Sequence, residues 1–308
     1  MANIARNITI NRDVLIGVLF ALLAAIGFSA KAILVKLAYL DHVDAVTLLA
    51  LRMAFSVPFF IGVAVWARLH HAKPLGMHDR LLVLGLGLIG YYLSSYLDFL
   101  GLQYISAGLE RLILFLYPTM TVILTALVYR RSIGKKVMFA MALSYAGIVL
   151  AFFHDADMGH GGNTVLGASL VFASTLSYSI YLVGAGHAIA RIGAARFTAY
   201  AMVVASAASL LQFGVTHPLS ALHLPLRVYE LAIAMAVFST VLPVFLLSYA
   251  IRRIGSGSTS LIGSIGPAST LYMASVFLGE SLSLLQIAGS SLVLIGVIII
   301  SLNSKKEG

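Results

Sequence analysis

The chain has 308 residues, 60% of them hydrophobic and only 10% charged, with a mean hydropathy of +1.00; a soluble domain carries roughly 25% charged residues, so a water-soluble globular protein is excluded. The excess of 20 Lys and Arg over 11 Asp and Glu fits the cytoplasmic loops of a membrane protein rather than a nucleic-acid surface. No cysteine is present, which excludes disulfides, thiolate metal sites and thiol catalysis.

Spanning the hydrocarbon takes about 20 mostly apolar residues, and about ten such runs are predicted, at 14–37, 45–67, 81–102, 107–129, 137–153, 165–189, 195–215, 228–251, 258–278 and 284–302. The first run could also be read as a signal peptide, with Arg6 and Arg12 ahead of it and Ser29 to Ala32 as a small-residue site. Its length and its counterpart near Gly167 favour a span.

Orientation follows from where the cations fall. With the N-terminus in the cytoplasm, the inside segments collect Arg6, Arg12, Arg68, Lys73, Arg80, Arg130, Arg131, Lys135, Lys136, Arg191, Arg196, Arg252, Arg253, Lys305 and Lys306. The outside joints hold only Arg227, together with Asp41, Asp44, Asp155, Asp157, Glu230 and Glu280. This asymmetry predicts a multi-pass protein of the cell inner membrane with both termini cytoplasmic.

The chain is written twice. Residues 104–131, YISAGLERLILFLYPTMTVILTALVYRR, return at 253–280 as RIGSGSTSLIGSIGPASTLYMASVFLGE, with Gly108 on Gly257 and Pro118 on Pro267 at one offset (257 − 108 = 267 − 118 = 149). Gly147 falls on Gly296 at the same offset and Gly17 on Gly167 at 150. Five spans is an odd number, so the second half is inverted relative to the first. The loops agree, since basic Arg131 aligns with acidic Glu280. The expected fold is an all-α integral membrane protein of about ten helices in two inverted five-helix repeats. Its divisions are a cytoplasmic segment (1–13), the first repeat (14–153), an outer loop (154–164), the second repeat (165–302) and a cytoplasmic tail (303–308). Inverted repeats mark secondary transporters, which alternate access by rocking one repeat against the other around a midplane site.

Two five-span repeats, each with a span of the form small-x-x…Pro…Leu-Gly-Glu and a Gly-rich closing span, resemble the drug/metabolite transporter superfamily of the EamA type. The resemblance covers nearly the whole chain and is closest over 256–267 and Leu278-Gly279-Glu280; it also touches Lys36 and Leu51-Arg52-Met53. It implies about ten helices and export, less often uptake, of amino acids and other small metabolites. The implied cavity is lined largely by spans one, three, four, six, eight and nine. Glu110-Arg111 stands where the usual pattern has small residues.

Six ionisable residues lie within predicted spans: Lys31, Lys36, Arg52, Asp98, Glu110 and Arg111. Facing lipid at the midplane, each would cost about 2.5 to 3.5 kcal/mol and all six on the order of 15 kcal/mol, more than typical total stability. They are expected to face protein, water or headgroups. From about 1.5 Å of rise per residue, all six fall in the outer half, and all belong to the first repeat. Tyr181, Met202, Leu247, Thr259 and Ser260 stand at the positions equivalent to Lys31, Arg52, Asp98, Glu110 and Arg111. Plain structural roles are open to each: Lys36 snorkelling to Asp41 or Asp44, Arg52 tying helices together, Glu110 complementing a helix dipole, Asp98 pairing with Arg111 or Lys31. The functional reading weighs four cations against two anions. A substrate carboxylate or other anionic group would dock on Lys31, Arg52 or Arg111, while Glu110 or Asp98 receives the amine of a zwitterion or the coupling proton.

Tyr91, Ser94, Ser95 and Asp98 recur at helical spacing along span three. Tyr178 and Tyr181 on span six, with Tyr249 and Tyr272, could complete an aromatic cavity, against the alternative of interfacial or packing tyrosines. Pro118 and Pro267 are hinge candidates or static kinks, and Ser and Thr can satisfy the carbonyls that Pro267 releases. Gly85, Gly87 and Gly90 spell a dinucleotide fingerprint but lie inside a span with no strand before them, which makes them packing glycines. His154, Asp155, Asp157 and His160, and His70, His71 and His78, are read as polar loops, so no metal and no cofactor are expected. No motif argues for an intramembrane hydrolase. The expected partners are a small-molecule substrate, the lipid bilayer and possibly protons, with no nucleic acid; the chain is a monomer or homodimer. A secondary transporter that exports a small amino-acid-like or anionic metabolite is the favoured reading. An importer, a lipid-intermediate flippase of the same fold, and less so an intramembrane enzyme or sensor, are the alternatives.

Overall fold

The computed structural model describes residues 12–70, 74–130, 132–157 and 163–304. Arg6, His71, Lys73, Arg131, His160, Lys305 and Lys306, named above, lie outside the described residues.

Every described element is helical. In order they are α1 (Arg12–Tyr39), α2 (Ala45–His70), α3 (Met77–Gly87), a π-helical turn (Leu88–Leu93), α4 (Ser94–Gly101), α5 (Ala107–Leu114), α6 (Tyr117–Tyr129) and α7 (Lys135–Asp157). Then follow α8 (Thr164–Ile192), α9 (Ala194–Thr216), a single 3-10 turn (Leu219–Leu222), α10 (Leu226–Ala236), a second π-helical turn (Val237–Val241), α11 (Leu242–Gly263), α12 (Gly266–Leu278) and α13 (Leu284–Ser304). Among the described residues, eight helical stretches are long and apolar enough to cross a membrane, and Leu284–Ile300 is a shorter apolar helix. The remaining predicted run, 258–278, is helical in two pieces, the end of α11 and α12.

Local chemistry sets the boundaries. Asp44 caps α2 by accepting from the amides of Val46 at 2.8 Å and Thr47 at 3.0 Å, as a side chain at that position should. Pro118 and Pro267 sit in the first turn of α6 and α12, where a missing N–H does no harm, so each proline begins a helix after a break. Arg130 and Gly279 end those two helices in the left-handed region. Gly255, at φ 78°, kinks α11.

These features repeat at the offset of the sequence. The two π-helical turns begin 149 residues apart (237 − 88 = 149), and so do α6 and α12 (266 − 117 = 149). Contacts between the halves are reciprocal as well. A Cβ on Gly17 would lie 3.0 Å from Arg253 and 2.6 Å from Ile254, while one on Gly167 would lie 2.7 Å from Tyr104 and 2.8 Å from Ile105, the equivalent residues. Such exchange of partners is the mark of a two-fold axis, here a pseudo-axis relating the two repeats.

Packing crosses the repeats. α1 lies on α10, α11 and α12, and α8 lies on α3, α4, α5 and α6. With α2 against α10 and α9 against α3, the result is two bundles that each mix both halves: α1, α2 and α10 to α12 in one, α3 to α6, α8 and α9 in the other. α2 also packs on α9, and α7 on α13. The α7–α13 crossing is made of glycine, since a Cβ on Gly147 would strike the carbonyl of Gly289, and one on Gly289 that of Gly147. Small residues let helix backbones approach in this way. Gly87 and Gly90 are close-packed too, against Ala201 and the Tyr181 ring, whereas Gly85 has open space beside it.

Replacing Gly147 by Leu is expected to cost about 1–3 kcal/mol through overpacking. Gly62→Leu, where an added Cβ meets nothing within 4 Å, should stay within about 0.5 kcal/mol. Unfolding of both variants in micelles checks this, and equal shifts would rule out the close crossing.

Candidate functional site

The site is built where the two bundles meet, toward the end that carries the acidic loop residues. Lys31 projects from α1, Asp98 from α4 and Glu110 from α5. The Lys31 ammonium lies 2.5 Å from Asp98 Oδ2 and 3.1 Å from Glu110 Oε1. Side-chain exposure is 15% for the lysine, 3% for Asp98 and zero for Glu110. Asp98 Oδ1 and Glu110 Oε2 are buried and meet no donor, while Glu110 Oε1 faces the Lys31 ammonium. Of the two partners the sequence allowed for Asp98, the structure pairs it with Lys31.

The other intramembrane cations are placed differently. Arg52 is buried, donates from Nε to Thr240 Oγ1 at 2.9 Å and lies 5.5 Å over the Phe99 ring, while its Nη1 finds no partner. It ties α2 to the second π-helical turn and to α4. Arg111 turns toward the other bundle, where a Cβ on Gly266 would lie 2.6 Å from its Nη2, and its buried Nε is unbonded. Lys36 does not pair with Asp41 or Asp44. Its electrostatic neighbours are Glu280, Asp155 and Glu110. Asp41 meets Arg227 at 3.7 Å, and Asp44 is held as the α2 cap and by His217 at 3.3 Å.

Tyr91, Tyr178 and Tyr181 form one aromatic group, with ring centroids 4.9 Å apart for Tyr91–Tyr181 and 5.6 Å for Tyr178–Tyr181. The Tyr91 and Tyr181 hydroxyls bond at 2.9 Å. Gly90 in the π-helical turn admits the Tyr181 ring. Tyr117 joins through Tyr178 and Phe197 through Tyr181. Ser95 is half-buried on the Tyr91–Asp98 face, whereas Ser94 is spent on Ser174. Tyr249 stands against Phe20 and Arg253, and Tyr272 is exposed, so neither reaches this group.

Several structural partners were not singled out from sequence. Ser29 donates to the Gly266 carbonyl at 2.9 Å and Ser179 to the Tyr117 carbonyl at 3.3 Å, the first carbonyl of each helix that resumes after its break. Thr270 on span nine also reaches Gly266 O, at 3.2 Å. Ser177 donates to Ile89 O in the first π-helical turn at 2.7 Å. The α5 N-terminus is capped from three sides: Ser106 N by Asp155 at 3.0 Å, Ala107 N and Gly108 N by the two Glu280 oxygens at 2.9 and 3.3 Å, and Leu109 N by Ser106 Oγ at 3.0 Å. Glu280 therefore joins α12 of one bundle to α5 of the other. The repeat held the signal for the serines, since Ser29 and Ser179 match at the same offset as Gly17 and Gly167 (179 − 29 = 167 − 17 = 150); nothing in the sequence showed where Glu280 reaches.

A buried charge cluster between broken, symmetry-related helices suits a carrier, and similarity agrees. A model of the EamA-like transporter family matches residues 15–153 and again 165–302. The chain belongs to that family. Within it, the uncharacterized transporter YcbK of Bacillus subtilis is 32% identical over 285 residues, 90% of each chain. The uncharacterized transporter YyaM of the same organism is 27% identical over 69% of this chain and 70% of its own. One crystal structure superposes with a TM-score of 0.64 at 17% identity, covering 95% of this chain and 99% of the other, a likeness of fold. EamA-like membership and the multiple apolar helices make this a multi-pass membrane protein of a transporter family.

Glu280→Ala leaves two amides of α5 without acceptors, and a loss of about 1–3 kcal/mol is expected. Because the chain has no cysteine, Tyr104→Cys can report on the same contact. Thiol labelling at that position should rise when Glu280→Ala is added, and unchanged labelling would show that Glu280 does not hold this end shut.

Proposed function

We propose that this protein is a secondary transporter that moves a small ionisable metabolite, amino-acid-like or anionic, across the cell membrane by alternating access. Export is the direction the family resemblance implies. The observation that carries the proposal is the Lys31–Asp98–Glu110 cluster, buried between two bundles rather than inside one. Charge buried at a sliding interface is costly unless paired, so the pairing must be exchanged, not lost, when the bundles part. A transported molecule can supply that exchange.

The packing favours motion of the two mixed bundles over motion of one repeat against the other, since α1 and α8 are each packed on the opposite repeat. At the acidic end the bundles are linked by Lys31, by Glu280 on α5 and by the Tyr39 hydroxyl on the Phe99 carbonyl at 2.6 Å. Opening of that end requires these links to break together. We place the acidic end outside and both termini in the cytoplasm, on the distribution of cations. Tyr91, Ser95, Tyr178 and Tyr181 line the approach for the apolar part of the substrate, Arg52 and Arg111 offer their unbonded nitrogens to a carboxylate, and Glu110 and Asp98 are the groups able to carry a coupling proton.

Purified protein in proteoliposomes, supplied in parallel with labelled amino acids and organic anions with and without a pH gradient, tests this. Gradient-stimulated flux of one compound is expected, reduced at least about tenfold in Glu110→Gln. Flux that ignores both the gradient and Glu110 would remove proton coupling, and no flux of any small molecule would favour the flippase.

A further inference from the structure

Asp98 and Glu110 belong to neighbouring helices of one bundle, α4 and α5, while Lys31 belongs to the other. If the bundles part as proposed above, the two carboxylates stay together and the lysine leaves. Two adjacent carboxylates in apolar surroundings repel one another and cannot both stay ionised without a cation between them. The remaining cations are engaged elsewhere first: Arg52 is fixed on Thr240 and the Phe99 face, Arg111 lies against Gly266, and Lys36 interacts with Glu280 and Asp155 ahead of Glu110.

The unused acceptors define what fits. Asp98 Oδ1 and Glu110 Oε2 are buried without a donor, Asp98 Oδ2 and Glu110 Oε1 are the two oxygens that the Lys31 ammonium would vacate, and a primary ammonium carries three N–H donors. A hard metal ion asks for six or more oxygen ligands, beyond what two carboxylates flanked by guanidinium groups supply. We infer that Asp98 and Glu110 form a binding site for a primary ammonium group, R–NH3+, which Lys31 fills as a tethered stand-in until a substrate amine displaces it. This rests on the transporter reading for the displacement, but the site itself is a property of these three side chains. The substrate class it names is the alkylamine, with or without a carboxylate. Exchange of one ammonium for another conserves charge at the cluster.

Lys31 competes as a tethered ligand, whose effective concentration is typically millimolar. Removing it should expose the site to free amines. The full chain in micelles, as wild type, Lys31→Ala, Lys31→Met and Lys31→Ala with Glu110→Gln, is titrated with methylammonium chloride against sodium chloride at equal ionic strength, and the unfolding temperature is followed. A saturable rise with methylammonium is expected in both single Lys31 variants, with an apparent affinity at least roughly tenfold above wild type, and none in the double variant. No response beyond sodium chloride in either single variant, or an equal response in the double variant, would overturn the site. If the single variants bind methylammonium while proteoliposomes show no flux, the site stands and the transporter reading falls. If flux is found without methylammonium binding, the transporter reading stands and the ammonium site falls.

Discussion

A helix interrupted inside a membrane leaves carbonyls with no water to take them, and every one must find a donor within the protein. That constraint organises this chain. Spans four and nine break before Tyr117 and Gly266; at the first break Ile113 O, in the last turn of α5, takes the Leu116 amide at 3.0 Å and the Thr175 hydroxyl of α8 at 3.3 Å, and Ser179 and Ser29 clamp the resumed helices by donating to their first carbonyls, Tyr117 O and Gly266 O. Each serine comes from the first span of one repeat and serves the broken span of the other. The first π-helical turn is treated similarly, with Ser177 on Ile89 O, while in the second Thr240 returns to Met235 O within its own span at 3.0 Å. The breaks therefore hold α1 to α12 and α8 to α6, and the two mixed bundles follow from that exchange.

On this symmetric frame the charges are asymmetric. The equivalents of Lys31, Asp98 and Glu110 are Tyr181, Leu247 and Thr259, so one pseudo-symmetric half holds an ion cluster where the other holds a tyrosine and apolar or hydroxyl side chains. Peripheral ion pairs keep the symmetry but swap its sign. Asp41 on Arg227 at one end corresponds to Arg191 on Asp79 at the other, with Asp41 and Arg191 equivalent in the repeat. Each pair closes a contact inside one bundle, α1 with α10 and α8 with α3. Exposed pairs of this kind contribute little stability, and their value here is in keeping each bundle together at its loop end.

The fold was legible because periodicity and repetition are properties of sequence. The 149-residue offset that aligned Pro118 with Pro267 also locates both helix breaks and both π-helical turns, and Gly17 and Gly167, matched at 150, are points where the halves touch. The site was legible in content and not in arrangement. That charged residues inside spans must be shielded named Lys31, Asp98, Glu110 and Arg111, but which cation meets which anion depends on how α1 crosses α4 and α5. Lys36 shows the limit most clearly. Sequence proximity favoured Asp41 and Asp44, whereas Asp44 is consumed as a helix cap and Asp41 by Arg227, leaving Lys36 to Glu110, Asp155 and Glu280, carboxylates of distant parts of the chain.

Placement of the cluster then bears on mechanism. Had Lys31, Asp98 and Glu110 lain within one bundle, the ion pairs would be a static brace, unaffected by any relative movement. Lying across the interface, they make the separation of the bundles depend on what replaces the lysine. Glu280 on the amides of α5 has the same property one turn farther toward the acidic end, though it binds backbone rather than charge and so asks for no substitute except water. An opening that must exchange a cation at one layer and only hydrate amides at the next is governed by the first, because an unpaired buried charge is far more costly than an exposed amide. In the proposed alternating-access cycle, the inner layer, not the outer cap, is where a transported molecule would decide whether the protein opens.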